Sequence, residues 1–363
     1  MEDTKEPMFP SIEEDKFLKE LVIAAEKRGL GLDSITPEKM KAMASEAGEL
    51  FLQRLKNLMS GTVKVHYEYR ISFEKRLNEL WKEPFNLLEL LLIMSYEIGK
   101  EFSREKQQEA EKDKDTVFYV LDRLHSRAIL IGREILSLLR SGYASGAHAR
   151  WRTLHEIAVI ALFIKQYGNE VAERYLFHDQ IESYKAMIEY QEHSNALRYP
   201  RLTKREIKKA EELRNHLRHK FGKSFVRETY GWAAEALGKD KPRFSDIESA
   251  TSLSYLRPFY RLASHAAHAN PKGMTFDLGI PEKGEKVQLA GPSNTGMADP
   301  GHSAAISLLQ VSAAFMTTRQ SFQGLVFLHA MGLLVDEIGT KFLEVHKLTE
   351  SKVEEIQRTR EDD

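Results

Sequence analysis

Two stretches of the sequence carry arginines and histidines at the spacing of one helical face. The first stretch places four residues at i, i+4, i+7 and i+8, namely His148, Arg152, His155 and Glu156. The second stretch has a similar polar stripe, formed by Arg257, Arg261, Ser264, His265 and His268. Arginine stabilises negative charge on a phosphate, and histidine can accept or donate a proton near neutral pH. Side chains of these two types could therefore bind or cleave a phosphate ester.

The alternative is that the first stripe has only a structural role. The stripe leads into Ile157–Ile164, which is apolar on every side of a helical wheel and is predicted to be a buried central helix. A charge that enters a core has to be paired and hydrogen-bonded, because an unpaired buried charge is strongly destabilising. We therefore expect Arg152 and Glu156 to pair with each other or with Arg127. Under this alternative both stripes are buried polar networks that only hold the fold together.

Two arginine–histidine pairs have the spacing of HEPN-type helical ribonucleases, which these segments resemble. The pairs are Arg150 with His155 and Arg261 with His268. The resemblance implies cleavage without a metal or other cofactor. An arginine would stabilise charge on the phosphate while a histidine moves the proton as the ribose 2′-OH attacks. It also implies a toxin-type effector, with a role in antiphage defence.

These pairs differ from the HEPN pattern in one respect. A large residue, Trp151 or Leu262, follows the arginine, where that family usually has a small polar one. The catalytic candidates on this reading are His268, Arg261, His155, Arg152 and Glu156.

A further resemblance rests on a longer series of positions. These positions are Arg127, Gly142, Gly146-Ala147, Arg152-Thr153-Leu154-His155-Glu156, Tyr260, Ser264, His268 and Asn270. Their order is similar to that of an uncharacterised bacterial all-helical family, catalogued as a domain of unknown function, over Thr116–Ala330. The resemblance implies one cluster formed by Arg127, Arg152, Glu156, Ser264 and His268. With the second stripe, the binding candidates are Arg127, Arg257, Ser264, His265 and Asn270.

Metal binding is the less favoured chemistry. Helix-bundle metal sites use several carboxylates, and only Glu156 and Glu134 are placed to contribute here. We therefore predict no metal ligands.

The elements that must position these residues are helices, and the predicted fold is an all-α multi-helix bundle. An antiparallel hairpin is predicted from Thr116–Ser141 and the segment Tyr143–Gln166, and Ser252–Ala269 is predicted to pack beside it. The long Gly/Pro-rich stretch Asn270–Gly301 is predicted to be a lid or docking surface. Within it, Met274–Leu278 and Lys286–Leu289 could pair as a small β-hairpin.

The predicted domain organisation has three parts. Residues 1–83 form an N-terminal helical arm, residues 84–349 the bundle core, and residues 350–363 a charged tail. The arm is as suited to self-association as to contact with a protein partner. An RNA partner would have to use a local basic surface, because the net charge of the chain is −1. Thr203–Lys220 is the one concentrated positive stretch.

Composition excludes several classes of protein. The chain of 363 residues has no cysteine, which excludes disulfides, cysteine-ligated zinc and thiol catalysis. Phosphate-binding glycine loops and the HExxH motif are absent. No segment is predicted to be a secretory signal or to span a membrane, and a cytoplasmic location is expected. A metal-independent endoribonuclease and a non-catalytic helical binding or scaffold protein remain as the two functional hypotheses.

Overall fold

The structure, a computed structural model, is built of helices. It describes residue 23 and residues 36–268, 271–275, 277–280 and 290–362. The helices of more than one turn are α1 (Pro37–Leu80), α2 (Lys82–Asp113), α3 (Thr116–Arg140), α4 (Ala144–Tyr167), α5 (Asn169–Leu197), α6 (Lys204–Phe221), α7 (Lys223–Arg227), α8 (Ala234–Leu237), α9 (Phe244–Ser249), α10 (Arg257–Ala267), α11 (Pro271–Thr275), α12 (Ala298–Met316) and α13 (Phe322–Asp362). Short 3₁₀ helices lie at Gly231–Ala233 and Ser254–Leu256. No strand occurs among the described residues, so the all-α prediction is confirmed.

The chain divides into two units, Met1–Arg76 and Leu77–Asp363. The second unit contains every candidate site residue. In the first unit α1 exposes apolar side chains such as Leu52, Met59 and Val63. Self-association through the N-terminal helices stays a prediction. Ser11 and Glu14 have the spacing of a capping box and predict a helix start, but this segment lies outside the described residues.

Helix α1 is longer than the sequence pattern predicted. We expected one helix to end near Ser60 and another to begin near Val63, but α1 runs through both positions without a break. Gly61 lies inside it, with no atom near the place of a Cβ. A glycine in a helix costs only about 1 kcal/mol relative to alanine. That cost is too small to interrupt a helix of 44 residues.

Helices α3 and α4 form the expected antiparallel hairpin at the centre of the larger unit. Asp115 caps α3 by accepting a hydrogen bond from the backbone N–H of Phe118 at 3.0 Å. After α3 the chain turns at Gly142, whose φ of 86° is readily adopted only by glycine. Helix α4 follows at once and buries half of its residues, packing against α3, α10 and α12. It is the central helix that the apolar segment predicted.

Small residues on α12 allow close packing against α4. The buried side chains of α12 include Ala304, Ala305 and Ser307. Through this contact the indole Nε1 of Trp151 on α4 donates to the carbonyl oxygen of Ser303 and to Oγ of Ser307, each at 2.9 Å. The alanines and serines of α12 therefore allow this helix to pack closely in the core.

The described ends of the Asn270–Gly301 segment are packed parts of the structure. The backbone N–H of Ser293 donates to the Gly142 carbonyl at 2.9 Å, and Trp81 Nε1 donates to the Asn294 carbonyl at 2.9 Å. Thr295 is buried, and its hydroxyl donates to the Gly279 carbonyl at 2.9 Å. A lid or docking surface, as predicted for this segment, could be replaced without loss of folding. These hydrogen bonds and the burial of Thr295 argue against that expectation for the described ends.

The predicted β-hairpin in this segment is wrong in its first half. Met274 and Thr275 lie in the short helix α11, where the backbone cannot form a strand. Lys286–Leu289 lies outside the described residues.

One described helix is long and apolar enough to cross a membrane. It is Phe322–Val353 within α13, with a mean hydropathy of 1.2 over its most apolar window, of which 28% is buried. Core helices of soluble proteins reach the same length and composition. A cytoplasmic location stays a prediction.

Candidate functional site

The histidines of the first stripe are part of the core. His148 and His155 are fully buried on α4, on either side of Trp151. The ring centroids lie 5.3 Å apart in both the His148–Trp151 and the Trp151–His155 contact. Burial lowers the pKa of His148 to about 4, so the ring is neutral at physiological pH. His148 and His155 do share a face of α4, as their spacing predicted, but that face is buried in the protein interior.

His155 belongs to a closed network with a carboxylate from another part of the chain. Its Nε2 lies 2.8 Å from Oε1 of Glu248 on α9, and both side chains are buried. The other oxygen of Glu248 lies 2.7 Å from Nε of Arg257. Burial lowers the pKa of His155, and the hydrogen bond to Glu248 opposes this effect. His155 is therefore shielded from solvent and from any large substrate.

The first arginine–histidine spacing does not form a site. Arg150 pairs with Glu134 on α3, and His155 points into the network with Glu248. Arg150 and His155 have different partners because two residues five positions apart on a helix point about 140° away from each other. The burial of His155 argues against the catalytic role predicted for it, which stays a prediction.

Part of the polar cluster opens to solvent, and Arg152 is at its centre. Nη2 of Arg152 lies 3.3 Å from Oε1 of Glu156, and each side chain is 28% exposed. Nη1 of Arg152 lies 3.3 Å from Nε2 of His268, at the end of α10. Because arginine can only donate, a hydrogen bond between these two atoms needs an Nε2 that carries no proton. The expected Arg152–Glu156 pair is present, but it is half-buried rather than sealed in the core.

Tyr260 on α10 joins the two sides of this open cluster. Its hydroxyl donates to Oε1 of Glu156 at 2.6 Å, and its ring lies 5.0 Å from the guanidinium of Arg152. Burial raises the pKa of Tyr260, and the hydrogen bond to Glu156 raises it further. The phenol therefore stays protonated and keeps donating to the carboxylate. Arg152, Glu156, Tyr260 and His268 are called the open cluster below.

The remaining candidates on α10 lie around the open cluster. Arg261 is exposed, and it forms no ion pair within the described part of the chain. Ser264 donates its hydroxyl to the Tyr260 carbonyl of the same helix at 2.8 Å. His265 is half-buried, and Arg257 is engaged by Glu248. Asn270, one of the predicted binding residues, lies outside the described residues.

Arg127 is not joined to the open cluster by any contact among the described residues. It is exposed on α3, and its charge opposes the burial that raises the pKa of Tyr175. Of the single cluster implied by resemblance, Arg152, Glu156 and His268 are therefore together, and Ser264 lies on α10, one turn before His268.

Sequence reasoning missed Glu248 and Tyr230. Burial raises the pKa of Tyr230, and the charge of Glu156 raises it further. The carboxylate of Glu248 pairs with His155 of the first stripe and with Arg257 of the second. One signal for it was available, because the stripes hold several basic groups but only one acidic residue, Glu156.

No group of three or more histidine or carboxylate side chains that could hold a metal ion occurs in the ranges that the structure describes. The groups of the site can accept protons, donate hydrogen bonds and hold an anion. This is the chemistry of general acid–base catalysis or of anion binding.

The fold and the site together define an all-α bundle with a half-exposed cluster of arginine, carboxylate, tyrosine and histidine. Residues 118–286 of the chain match a family of unknown function (DUF5677). The match begins two residues after the predicted Thr116 and ends before the predicted Ala330. It includes every residue of the open cluster. No curated protein and no solved structure matches the chain.

Proposed function

We propose that the protein is a metal-independent endoribonuclease whose active site is the open cluster. The observation that carries this proposal is the contact of 3.3 Å between Arg152 Nη1 and His268 Nε2, with both groups accessible from solvent. A second arginine, Arg261, is exposed on the helix that ends at His268. The cluster thus offers a proton acceptor beside two cations, as RNA cleavage without a metal requires.

The reaction that suits these groups is transesterification within RNA. His268 would accept the proton of a ribose 2′-OH at Nε2, once Arg152 has turned from this nitrogen to the phosphate, as the 2′-oxygen attacks the adjacent phosphorus. The bond from phosphorus to the 5′-oxygen breaks, and this oxygen leaves with a proton supplied by water. The products are a 2′,3′-cyclic phosphate and a free 5′-hydroxyl. Arg152 and Arg261 would stabilise the charge that grows on the non-bridging oxygens.

Glu156 and Tyr260 act as positioning residues in this proposal. Glu156 holds Nη2 of Arg152, and Tyr260 holds Glu156 through a hydrogen bond of 2.6 Å. The planar guanidinium is thereby oriented before a substrate binds, which lowers the cost of binding a phosphate. A toxin-type effector in antiphage defence is the biological role that we propose with this activity, on the resemblance to HEPN-type ribonucleases.

A non-catalytic binding or scaffold protein is the second candidate. The closed network of His155, Glu248 and Arg257 favours it, because buried polar networks commonly serve only to specify a fold. On this reading Arg152 and His268 hold an anionic group of a partner and leave it intact.

Cleavage of a labelled single-stranded RNA in EDTA distinguishes the two candidates. We expect cyclic-phosphate products with the wild-type protein, and no cleavage of the same sequence as DNA, which lacks the 2′-OH. His268→Ala should lower the rate by about 10²- to 10⁴-fold, the usual contribution of a general base. His329→Ala is the matched control, because His329 is an exposed histidine on α13.

An RNA that remains intact with wild-type protein would exclude the ribonuclease and leave the binding protein. Cleavage that survives His268→Ala unchanged would exclude the open cluster as its source. His155→Ala is uninformative about chemistry, since it removes a buried partner of Glu248 and should lower stability.

A further inference from the structure

Positive charge is concentrated on one helix of a nearly neutral protein. Helix α6 carries seven lysines and arginines and three glutamates. The basic residues are Lys204, Arg205, Lys208, Lys209, Arg214, Arg218 and Lys220. The whole chain has a net charge of −1, so the rest of the molecule compensates this helix. Such a separation of charge produces a local positive field.

Four of these residues lie on one solvent-facing side of α6. At 100° per residue, the positions 204, 205, 208 and 209 fall within an arc of about 140°. All four side chains are exposed, whereas Leu217 on the other side is buried. Lys208 lies 3.9 Å from Glu212, and both side chains of that pair are largely in water. Lys204, Arg205 and Lys209 form no ion pair within the described ranges.

The stability of α6 does not account for these four residues. Lys204 and Arg205 lie in its first turn, where the partial positive charge of a helix N-terminus disfavours cations. The basic residues of the last turn, such as Arg218, are favourably placed by the same argument. A capping box of Thr203 and Glu206 already satisfies the helix start. These two cations therefore lower the stability of the helix, and the pairs Lys204–Lys208 and Arg205–Lys209 place like charges at i and i+4, which is also unfavourable.

An exposed aromatic residue lies five positions before these cations in the chain. Tyr199 is 64% exposed in the connection between α5 and α6, directly after Arg198. The neighbouring Tyr190 is fixed through its hydroxyl, which donates to the Pro200 carbonyl at 2.8 Å. An exposed aromatic ring beside a row of cations is the combination by which proteins bind single-stranded nucleic acid.

We propose that Lys204, Arg205, Lys208, Lys209 and Tyr199, here called the α6 basic face, bind single-stranded RNA. The cations contact successive phosphates, and the pairs at i and i+4 lie about 6 Å apart along the helix axis. The ring of Tyr199 stacks on a base. The choice of RNA over another polyanion rests on the proposed ribonuclease function. The α6 basic face would hold the polymer while the open cluster cuts it.

The salt dependence of RNA binding tests this proposal. The full chain with His268→Ala is used, so that the RNA is not cut, and anisotropy of a labelled 20-nucleotide RNA is followed from 50 to 200 mM salt. Neutralising the four cations to glutamine should reduce the slope of log affinity against log salt by about 3, from a slope of roughly 0.7 per phosphate contact. The affinity at 50 mM salt should fall by about tenfold or more.

The matched control neutralises four exposed lysines of α1, Lys39, Lys41, Lys56 and Lys75. This variant loses the same formal charge, and its slope should stay at the unsubstituted value. Tyr199→Ala should weaken binding by about tenfold without changing the slope, because stacking releases no counterions. Thermal unfolding of each variant verifies that it is folded.

Three results would contradict the proposal that the α6 basic face binds RNA. They are an unchanged slope in its quadruple variant, an equal loss in the α1 control, and the absence of RNA binding at 50 mM salt. The failure of the ribonuclease is a separate outcome. If the protein never cuts RNA but the salt slope falls only in the α6 variant, the α6 basic face is supported as a binding surface and the proposed reaction is excluded.

Discussion

Glu248 and Glu156 are two carboxylates that differ in burial and in partners. Glu248 is 1% exposed and is held between His155 and Arg257. Glu156 is 28% exposed and is held by Arg152 and Tyr260. The energetic weight of an ion pair depends strongly on burial, because water screens an exposed charge and cannot reach a buried one. The two residues therefore have different roles although both pair with an arginine.

We expect Glu248→Gln to lower the free energy of unfolding by about 3–5 kcal/mol, because it leaves Arg257 and His155 without their carboxylate. Glu156→Gln should cost only about 1 kcal/mol, since its pair is partly solvated. Urea unfolding at neutral pH measures both losses. Glu337→Gln, at an exposed carboxylate on α13, is the control and should change stability by less than about 0.5 kcal/mol. Equal losses for Glu248→Gln and Glu156→Gln would contradict the assignment of the two networks.

The segment that connects α11 to α12 contains a glycine under a strong conformational constraint. Gly296 has a φ of 80°, and a Cβ there would lie 2.0 Å from the Leu278 carbonyl oxygen. The neighbouring Thr295 is buried and bonded to Gly279. The described ends of this segment are thus held against each other as a packed element.

Gly296→Ala should lower the free energy of unfolding by about 1–3 kcal/mol, since both the backbone angle and the close contact oppose a side chain. Gly291→Ala is the control, because no atom lies within 4 Å of its Cβ position. Thermal unfolding of the two variants provides the comparison. Equal stability of the two variants would show that Leu278 and Gly296 are not held together in solution.

Stability of the whole molecule depends on histidines that are neutral in its core. His125 is buried, and its Nε2 lies 3.1 Å from Oγ of both Ser95 and Ser312. Burial lowers its pKa from 6.5 to about 4. Between these two values the unfolded chain binds a proton that the folded protein does not bind. The stability that neutral His125 contributes is therefore fully present above about pH 6.5, and it is lost as the pH falls toward 4.

We expect this loss to reach roughly 3 kcal/mol for His125 at pH 4. His125→Gln keeps a polar group near the two serines but cannot titrate. The difference in stability between wild type and this variant should therefore shrink as the pH falls from 7 to 4. Urea unfolding at several pH values measures it. Two parallel curves would contradict the neutral, buried state of His125.

Much of the fold was predictable because helix formation leaves a local pattern in the sequence. The apolar run Ile157–Ile164 indicated a buried central helix, and the structure places α4 in the core. Ser252–Ala269 was predicted to be one helix, and its Pro258 lies in the first turn of α10 because proline is tolerated there. Both features depend on neighbours within a few positions of the chain.

The site was predictable only as a set of residue types and helical faces. His155 and His268 both lay on polar stripes, and nothing local distinguishes them. Tertiary packing brings Glu248, 93 residues away, onto His155, and it brings Arg152, 116 residues away, beside His268. Helical periodicity determines which residues share a face, while burial depends on the element that covers that face. The sequence by itself therefore determined the helices and the stripes, and only the tertiary structure decided that His155 is sealed and His268 is open.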